Sequence, residues 1–345
     1  MGDRPQRSFH PMESKKILLL LLVVCCCASE LFVLEKQNLI PEGLEYYEPK
    51  GFFVSSIGLG QVHTYNPLTG ALAPFSNTPR LVNTLGLQVD VEGNRLYTVN
   101  TISPTQMSLI SLRLDTGAFV REYNLTSLGV PGLQKYGNDV TSRDKDGNVY
   151  VTDSAGGYVY RVNLDTGDSE VFASGPELEP TDYFYGDLGL GVGGIVLYKN
   201  DFLVVACFSE SRLDMFKISL SDSKRKPQRV AIRELPSAFP AIDGLYFREN
   251  GNLLAVAGNS VLEMQSTDKW ATARVVKELP VSRSTPTSVV EVEGSVFVLS
   301  ANAFLPDVPY FIEQLDNSPV TFQAPTTSSS NTLLFSFCLA LLCLF

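Results

Sequence analysis

The sequence predicts an all-β protein, namely a six-bladed β-propeller with four-stranded antiparallel blades, and three observations lead to this prediction. One hairpin signature recurs at six places along the chain, and a second hairpin follows several of these six. The last repeat is one strand short, while an unassigned strand-forming segment precedes the first repeat. Repeats of about 50 residues that each carry four strands are typical of propeller blades.

Each of the six repeats opens with a short apolar strand, a tight polar turn and a second strand rich in β-branched or aromatic residues. Successive repeats begin 43, 53, 55, 50 and 44 residues apart. The six segments are EGLEYYEPKGFFVSS from Glu42, LGLQVDVEGNRLYTVN from Leu85, NDVTSRDKDGNVYVTD from Asn138, GGIVLYKNDFLVVACF from Gly193, DGLYFRENGNLLAVAG from Asp243 and TSVVEVEGSVFVLSA from Thr287.

The second hairpin has the turn NPLTG or LDTG and occurs at 62–75, 109–123 and 158–172. Two hairpins supply the four strands of one blade. The last repeat ends near Gln314 with room for only one further strand, so we expect LFVLEKQNL at 31–39 to supply the missing outer strand and close the ring. Two stacked β-sandwiches are the alternative architecture that such short strands permit.

The amino-terminal end differs from the repeats in composition. Lys15 and Lys16 precede an apolar run at 17–27, and small residues follow it, which is typical of a cleaved secretory signal peptide at 1–29. A signal anchor that continues through Leu31–Leu34 is the alternative. The sequence therefore places the protein in the secretory pathway.

The carboxyl-terminal end is a Ser/Thr/Pro-rich spacer at 317–332 followed by an apolar run at 333–345. The run is shorter than the roughly 20 residues that a membrane-spanning helix needs, and no basic residue follows it. This pattern predicts a GPI-attachment signal and an extracellular or cell-surface protein. Contact with the membrane would then be through a lipid anchor or a terminal hydrophobic segment, and residues 30–316 would form the propeller.

Charge and cysteine content exclude several kinds of site. Beyond residues 1–29 there are 23 basic and 35 acidic residues, which argues against nucleic acid as a partner. Cys207 is the only cysteine between the two ends, so the sequence has neither a disulfide framework nor a cysteine metal site, and we expect Cys207 to be a buried packing residue. His63 is the only histidine beyond the leader, which leaves histidine-dependent catalysis without support. Asn124 begins the one N-glycosylation sequon.

The segment DKDGN at 144–148 lies within a match to an EF-hand calcium loop. An EF-hand requires flanking helices, whereas the residues on both sides of this segment have the pattern of strands. The sister repeats carry VEGN or RENGN at the equivalent place, without any calcium pattern. We therefore predict a hairpin turn here rather than a calcium loop.

The residues that open the repeats are the more informative candidates for a metal site. The innermost strands of a propeller begin near the central axis, so residues about 50 positions apart meet there. Glu42, Asn138 and Asp243 supply side-chain oxygens of the kind that Ca²⁺ and Mg²⁺ prefer.

Four motifs occur at the openings of the repeats, namely PEGL at 41–44, GNDV followed by DGNVYVTDS, IDGLYF at 242–247 and PTSV near the end. In these motifs the sequence resembles the gluconolactonase and senescence-marker-protein family of six-bladed propellers, and more distantly paraoxonase and strictosidine synthase. The resemblance covers roughly residues 40–305. It implies that Glu42, Asn138 and Asp243 hold a divalent cation, with calcium the expected ion. Gly193 stands where the family has a further asparagine ligand.

The resemblance also implies hydrolysis of a small-molecule lactone or ester, in which the metal polarises the carbonyl and Asp243 activates water. A non-catalytic propeller that binds a ligand or a protein at the channel mouth is the alternative. Gly193 favours this alternative, whereas the pairing of Glu42 with Asp243 favours the hydrolase. The sequence does not indicate an oligomeric state.

An insertion at 175–191 is rich in acidic and aromatic residues and leads directly into the fourth repeat. We expect it to lie over the channel mouth and to contribute Tyr183, Tyr185 and Asp187 to a substrate pocket. A solvated connector is the alternative interpretation of this segment.

Overall fold

The computed structural model describes residues 31–180, 182–185, 188–208, 214–234, 241–283, 285–301, 309–316 and 320–322, with only the backbone at 182–185 and 188. These ranges contain strands and no helix, and therefore no helix that is long and apolar enough to cross a membrane. Six sheets form a six-bladed β-propeller, which confirms the predicted fold class. The predicted signal peptide at 1–29 and tail at 333–345 lie outside the described residues, as does the spacer except for 320–322.

The first three blades follow one another along the chain, and in each of them the strands run in order from the innermost to the outermost. Blade 1 comprises β2 (Pro41–Tyr47), β3 (Gly51–Ser56), β4 (Gln61–Asn66) and β5 (Ala71–Ser76). Blade 2 comprises β6 (Thr84–Asp90), β7 (Arg95–Ser103), β8 (Gln106–Arg113) and β9 (Phe119–Asn124). Blade 3 comprises β10 (Gly137–Val140), β11 (Asn148–Asp153), β12 (Tyr158–Asn163) and β13 (Ser169–Ser174).

A hairpin of β14 (Asp182–Tyr185) and β15 (Leu188–Leu190) separates blade 3 from blade 4. Blade 4 comprises β16 (Val192–Tyr198), β17 (Phe202–Cys207), β18 (Asp214–Ser219) and β19 (Gln228–Arg229). Blade 5 comprises β21 (Ile242–Phe247), β22 (Leu253–Ala257), β23 (Ser260–Gln265) and β24 (Thr272–Pro280), with β20 (Ala231–Arg233) outside β24. Blade 6 comprises β25 (Pro286–Val292), β26 (Ser295–Ser300), β27 (Tyr310–Gln314) and β1 (Leu31–Leu34).

The ring is closed by the first strand of the chain, as the sequence predicts. β1 pairs antiparallel with β27, so that Leu31 lies opposite Glu313 and Leu34 lies opposite Tyr310. Phe32 of β1 is buried between blades 6 and 1, where it packs with Phe52 and Phe297. One apolar core of this kind lies at each of the six blade interfaces.

Blade 5 departs from the predicted four antiparallel strands, because β20 adds a fifth strand that is parallel to β24. Ala231 lies opposite Thr272 and Arg233 lies opposite Arg274. The chain that leaves the outermost strand of blade 4 runs along the edge of blade 5 before it enters the centre of the ring. An exposed sheet edge presents unpaired backbone groups, and this passing segment pairs with them.

The segment DKDGN at 144–148 is a hairpin turn, which confirms the prediction against an EF-hand. The backbone N–H of Gly147 donates to the carbonyl of Asp144 at 3.1 Å, and Gly147 has a φ of 82°. The Asp144 carboxylate is buried and accepts hydrogen bonds from the Asn148 N–H at 2.8 Å and the Tyr150 hydroxyl at 3.0 Å. Asp144 therefore holds the turn together.

Every inner strand carries a β-bulge of one extra residue near its beginning. In β2 the register shifts between Pro41 and Leu44, and the other five inner strands shift at the equivalent place. A bulge re-aims the side chains around it and commonly lies beside a functional site. In this protein all six bulges fall on the residues that open the repeats.

Four of these bulges contain a glycine because adjacent blades approach each other closely. A Cβ atom on Gly43 would lie 2.6 Å from the Leu85 carbonyl oxygen, and one on Gly194 would lie 2.3 Å from the Asp243 carbonyl oxygen. Such distances exclude a side chain. Gly86 and Gly244 are likewise too close to the following blade to carry a side chain.

Candidate functional site in the central channel

The residues that open the six repeats meet in one ring at the end of the channel where the inner strands begin, which we call the starting end. The Thr287 hydroxyl donates to the Glu42 carbonyl at 2.9 Å, which joins blade 6 to blade 1. The Ile195 N–H donates to the Asp139 carboxylate at 3.1 Å, which joins blade 4 to blade 3. Close contacts of the bulge glycines complete the circle.

The three predicted metal ligands all belong to this ring. Asn138 is buried, whereas Glu42 and Asp243 keep part of their surface open to the channel. A Cβ atom on Gly193 would lie 3.7 Å from Oδ1 of Asn138, so the third and fourth repeats are direct neighbours here. The structure thus brings these residues together, and their roles as ligands and as catalytic base stay predictions.

The carboxyl groups of the ring hold their protons more tightly than isolated carboxyls do. Burial is the main cause that raises the pKa of Asp243 to about 8, and the charge of Asp139 adds to it. Burial raises the pKa of Asp139 to about 7, against the effect of hydrogen bonds from two backbone N–H groups. Burial raises the pKa of Glu42 well above its usual value, and the charges of Asp243 and Asp139 add to this. The ring therefore brings together acidic groups in a site where water solvates their charged forms poorly.

Asp139 is a member of the site that the sequence reasoning did not select. Its carboxylate accepts hydrogen bonds from the N–H of Val140 at 2.8 Å and from that of Ile195, and so fixes blade 3 against blade 4. The signal that marks Asp139 is its place in the repeat, because four sister repeats have glycine at the equivalent position.

A second carboxyl that the sequence reasoning missed, Glu45, lies farther along the channel. It lines a cavity of about 290 Å³ together with residues of all six inner strands, among them Gln88, Tyr246 and Ser288. Burial raises the pKa of Glu45 to about 8, and the Asp139 charge contributes, while hydrogen bonds from the backbone oppose the shift.

Phe208 occupies the place where the fourth repeat would project a side chain into the ring. A Cβ atom on Gly193 would lie 2.7 Å from Cε2 and 3.0 Å from Cδ2 of the Phe208 ring. An asparagine at 193 therefore cannot reach the ring unless Phe208 moves. The Phe208 ring therefore takes the place of one of the four expected ligands.

The remaining donors fit a hard divalent cation by their chemistry. Two carboxylates and one amide supply oxygen atoms, and positive charge would relieve the repulsion that raises the carboxyl pKa values. Within the described ranges, no three His, Cys, Asp or Glu side chains converge in a way that could hold a metal ion. The predicted ligands differ from such a group because one of the three, Asn138, is an amide.

The other candidate residues lie away from the ring or outside the described atoms. Asp187 and the side chains of Tyr183 and Tyr185 are not described, although the backbone of 182–185 forms one strand of the inserted hairpin. Asn124 ends the outermost strand of blade 2, and its side chain accepts a hydrogen bond from the Thr126 N–H. Cys207 is buried, as predicted, and burial raises the pKa of its thiol to about 12.

His63 is fully buried in β4, the third strand of blade 1, and takes no part in the ring. Neither ring nitrogen of His63 has a hydrogen-bond partner among the described residues. Burial, assisted by the charge of Lys36, lowers the pKa of His63 to about 4, so the imidazole is neutral at physiological pH.

Solved structures with the same fold include enzymes of several kinds. The major allergen Mala s 1 of Malassezia sympodialis has a TM-score of 0.67 and 20% identity, and the match covers 86% of this chain and 99% of the allergen. A protein assigned as a gluconolactonase has a TM-score of 0.58 and 15% identity, over 84% of this chain and 92% of its own. A luciferin-regenerating enzyme has a TM-score of 0.57 and 13% identity, over 83% and 95%.

These likenesses agree with the resemblance that the motifs indicate, and at such low identity they establish the fold alone. No protein-family model matches the chain, and no curated protein matches it in sequence.

Proposed function

We propose that this protein is a metal-dependent hydrolase that opens a lactone or an ester at the starting end of its channel. The observation that carries this proposal is the gathering of desolvated carboxyl groups of one sign, Glu42, Asp139 and Asp243, around a common axis. Burying like charges together destabilises a fold, and a scaffold without a chemical task has no need of them. A hydrolase needs them to hold a cation and to activate water.

Asp243 is suited to the role of general base. A base works best when its pKa is close to the working pH; without a cation the pKa of Asp243 is raised to about 8, and a bound cation would lower it from there. Its carboxylate would accept a proton from the attacking water. Asp139 assists by maintaining the negative charge that raises the pKa of Asp243, and its two backbone hydrogen bonds keep it in place.

Glu42 and Asn138 would hold the cation with their side-chain oxygens, together with Asp243. When bound, a divalent cation stabilises the negative charge that develops on the carbonyl oxygen. Glu42 belongs to blade 1, Asn138 to blade 3 and Asp243 to blade 5, so the site depends on closure of the whole ring.

A non-catalytic propeller that binds a ligand at the same place is the second candidate function. The observation that favours it is the Phe208 ring, which takes the space of a fourth ligand beside Gly193. An apolar wall suits ligand binding and weakens the shell around a cation.

Measurements of calcium binding and of hydrolysis with the purified full-length chain distinguish the hydrolase from the non-catalytic propeller. We expect calorimetry to detect calcium binding, and lactones and aryl esters to be hydrolysed in a reaction that a chelator stops. Asp243→Asn should lower kcat/KM by roughly 10²- to 10⁴-fold, the usual contribution of a general base. Glu48→Gln is the matched control, because Glu48 is exposed on the same blade as Glu42. Absence of calcium binding and of hydrolysis would leave the binding function.

We also propose that the protein acts at the cell surface with its starting end directed away from the membrane. Leu31 and Gln314, where the propeller strands begin and end, both lie at the opposite end of the ring, which we call the finishing end. An anchor that continues from either residue would attach there. Release of the protein from intact cells by phosphatidylinositol-specific phospholipase C tests the GPI anchor, and retention would contradict it.

A further inference from the structure

The pair formed by Gly193 and Phe208 changes the chemical character of one side of the site. Gly193 offers no side chain, and the Phe208 ring fills the volume that one would occupy; a Cβ atom in that volume would lie 3.7 Å from Oδ1 of Asn138. A ligand whose carbonyl carbon lies among Glu42, Asn138 and Asp243 would therefore have the Phe208 ring on the blade 4 side. Groups that touch the ring find no strong hydrogen-bond donor or acceptor in it.

The same ring also lines a cavity of about 590 Å³ between blade 4 and the segment that precedes the inserted hairpin. The volume lies in the range of small-molecule sites. Its apolar lining comprises Pro176, Cys207, Phe208, Phe216 and Pro227. Phe208 is thus shared between the cavity and the ring of carboxyl groups.

Charged residues line the cavity as well, and the structure shows how part of this charge is compensated. Asp214 is buried and forms an ion pair with Arg229, so these two residues neutralise each other. Glu177, Glu179 and Lys226 also line the cavity, and the Cys207 thiol donates to the backbone carbonyl of Glu177, with 3.5 Å between Sγ and O. Cys207, the last residue of β17, and Phe208 after it both line the cavity.

We propose that Phe208 is a specificity-determining residue, and that the site takes lactones or esters with an apolar substituent beside the reacting carbonyl rather than polyhydroxylated lactones. The substituent would lie against the Phe208 ring, which touches the position of Gly193 and also lines the cavity of about 590 Å³. This inference rests on the proposed function, because it assumes that a carbonyl compound binds among the carboxyl groups. A polyhydroxylated lactone would instead bury hydroxyl groups against the ring without partners, which costs binding free energy.

Hydrolysis of matched lactones measures this preference directly. The substrates are α-phenyl-δ-valerolactone, unsubstituted δ-valerolactone and glucono-δ-lactone, tested on the full-length protein. We expect kcat/KM for the phenyl compound to exceed that for each of the others by at least about tenfold, since a buried aromatic group contributes to binding on that scale. Equal or greater efficiency with glucono-δ-lactone would overturn the inference and leave the proposed hydrolase standing.

Two substitutions test whether the Phe208 side chain causes the preference for the phenyl compound. Phe208→Leu keeps an apolar surface and should retain the preference within about threefold, whereas Phe208→Asn should abolish it. Phe119→Asn is the control, because Phe119 is a partly exposed ring on the outermost strand of blade 2. Thermal unfolding of each variant identifies any that fail to fold, and Phe208→Leu remains informative if Phe208→Asn is lost. A folded Phe208→Asn that keeps the preference contradicts the inference.

Binding of ketones that cannot be hydrolysed distinguishes failure of this inference from failure of the proposed function. We expect 2-phenylcyclohexanone to bind at least about tenfold more tightly than cyclohexanone, with the difference removed by Phe208→Asn. If no lactone is hydrolysed, this result upholds the pocket and rejects the hydrolase. If neither ketone binds, or both bind equally, the pocket is rejected.

Discussion

Two groups of acidic residues, one at each end of the ring, differ in how their charge is compensated. At the finishing end, Arg248 donates to Glu263 at 2.9 Å and to Glu291 at 2.8 Å, so these buried carboxylates have a positively charged partner. At the starting end, Glu42 and Asp243 have other carboxyl groups as their charged neighbours. Carboxylates that are paired with a cation are typical of structural sites. Carboxyl groups whose ionisation is disfavoured by burial and by like charges are typical of functional sites.

Asp144 and Asp139 show the same contrast within a single repeat. Asp144 lies in the turn at the finishing end, where burial acts to raise its pKa but hydrogen bonds from Asn148 and Tyr150 lower it below the usual value. Asp139 lies at the starting end, where its hydrogen bonds do not offset burial and the pKa rises to about 7. A structural aspartate and one with functional character are therefore only five positions apart in the sequence.

The largest expected effect is loss of the positive charge at the finishing end. Arg248→Met would leave Glu263 and Glu291 buried without their cation and should lower the free energy of unfolding by about 3–5 kcal/mol. Denaturant titration measures this value. Arg80→Met is the control, because Arg80 and Glu122 form an exposed pair at the surface and should contribute less than about 1 kcal/mol. An Arg248 variant as stable as the control would contradict the comparison.

The next effect is coupling between Gly193 and Phe208. Gly193→Asn alone should destabilise the protein by about 1–3 kcal/mol, because the new side chain collides with the ring. Combination with Phe208→Ala should recover much of this loss and should tighten calcium binding relative to Phe208→Ala alone. A double-mutant cycle of unfolding free energies tests the coupling. Additive effects would show that Phe208 does not occupy the space of residue 193.

Removal of a carboxylate from the starting end should stabilise the protein, in contrast to changes at the finishing end. Asp243→Asn removes one of several repelling charges, so we expect a gain of about 0.5–2 kcal/mol without calcium, together with the loss of hydrolysis. Unfolding in the presence of a chelator measures the gain. Destabilisation by Asp243→Asn under these conditions would place Asp243 among the structural residues.

The stability of the fold should also depend on pH, in a direction set by the raised pKa values of carboxyl groups along the channel. The pKa values of Asp139, Asp243 and Glu45 lie at about 7, 8 and 8 in the folded state, above their usual values of 3.8, 3.8 and 4.5. As the pH rises from about 4 to about 8, the unfolded chain releases these protons first, so the carboxyl groups lower the stability of the fold. Calcium should offset this loss increasingly towards pH 8.

Unfolding free energies between about pH 6.5 and about pH 9, with and without calcium, check this expectation. Glu45→Gln should flatten the decline, whereas Glu48→Gln should leave the profile unchanged. This pH range lies above the range in which His63 affects stability. The lowered pKa of His63 makes the fold less stable as the pH falls from about 6.5 to about 4. A wild-type profile that rises towards pH 8 without calcium would contradict the assignment of raised pKa values.

The sequence was sufficient for features that local patterns encode. The hairpin signature predicts the six inner strands, and the strand missing from the last repeat predicts the closure by β1. Turn chemistry distinguishes 144–148 from a calcium loop, because glycine, asparagine and aspartate tolerate the backbone angles of a hairpin turn. The parallel strand β20 was not predictable in this way, since it depends on the edge of a neighbouring blade.

The sequence by itself determined the number of blades, the direction of the inner strands and hence which residues open the ring, because these follow from repetition along the chain. Only the tertiary structure decided that Asp139 joins Glu42 and Asp243, and that Phe208 replaces the side chain missing at Gly193. Phe208 is the last residue of the fourth repeat, and the motif does not reveal that its ring lies beside Gly193. Desolvation and repulsion depend on distances across the closed ring, and repetition does not specify those distances.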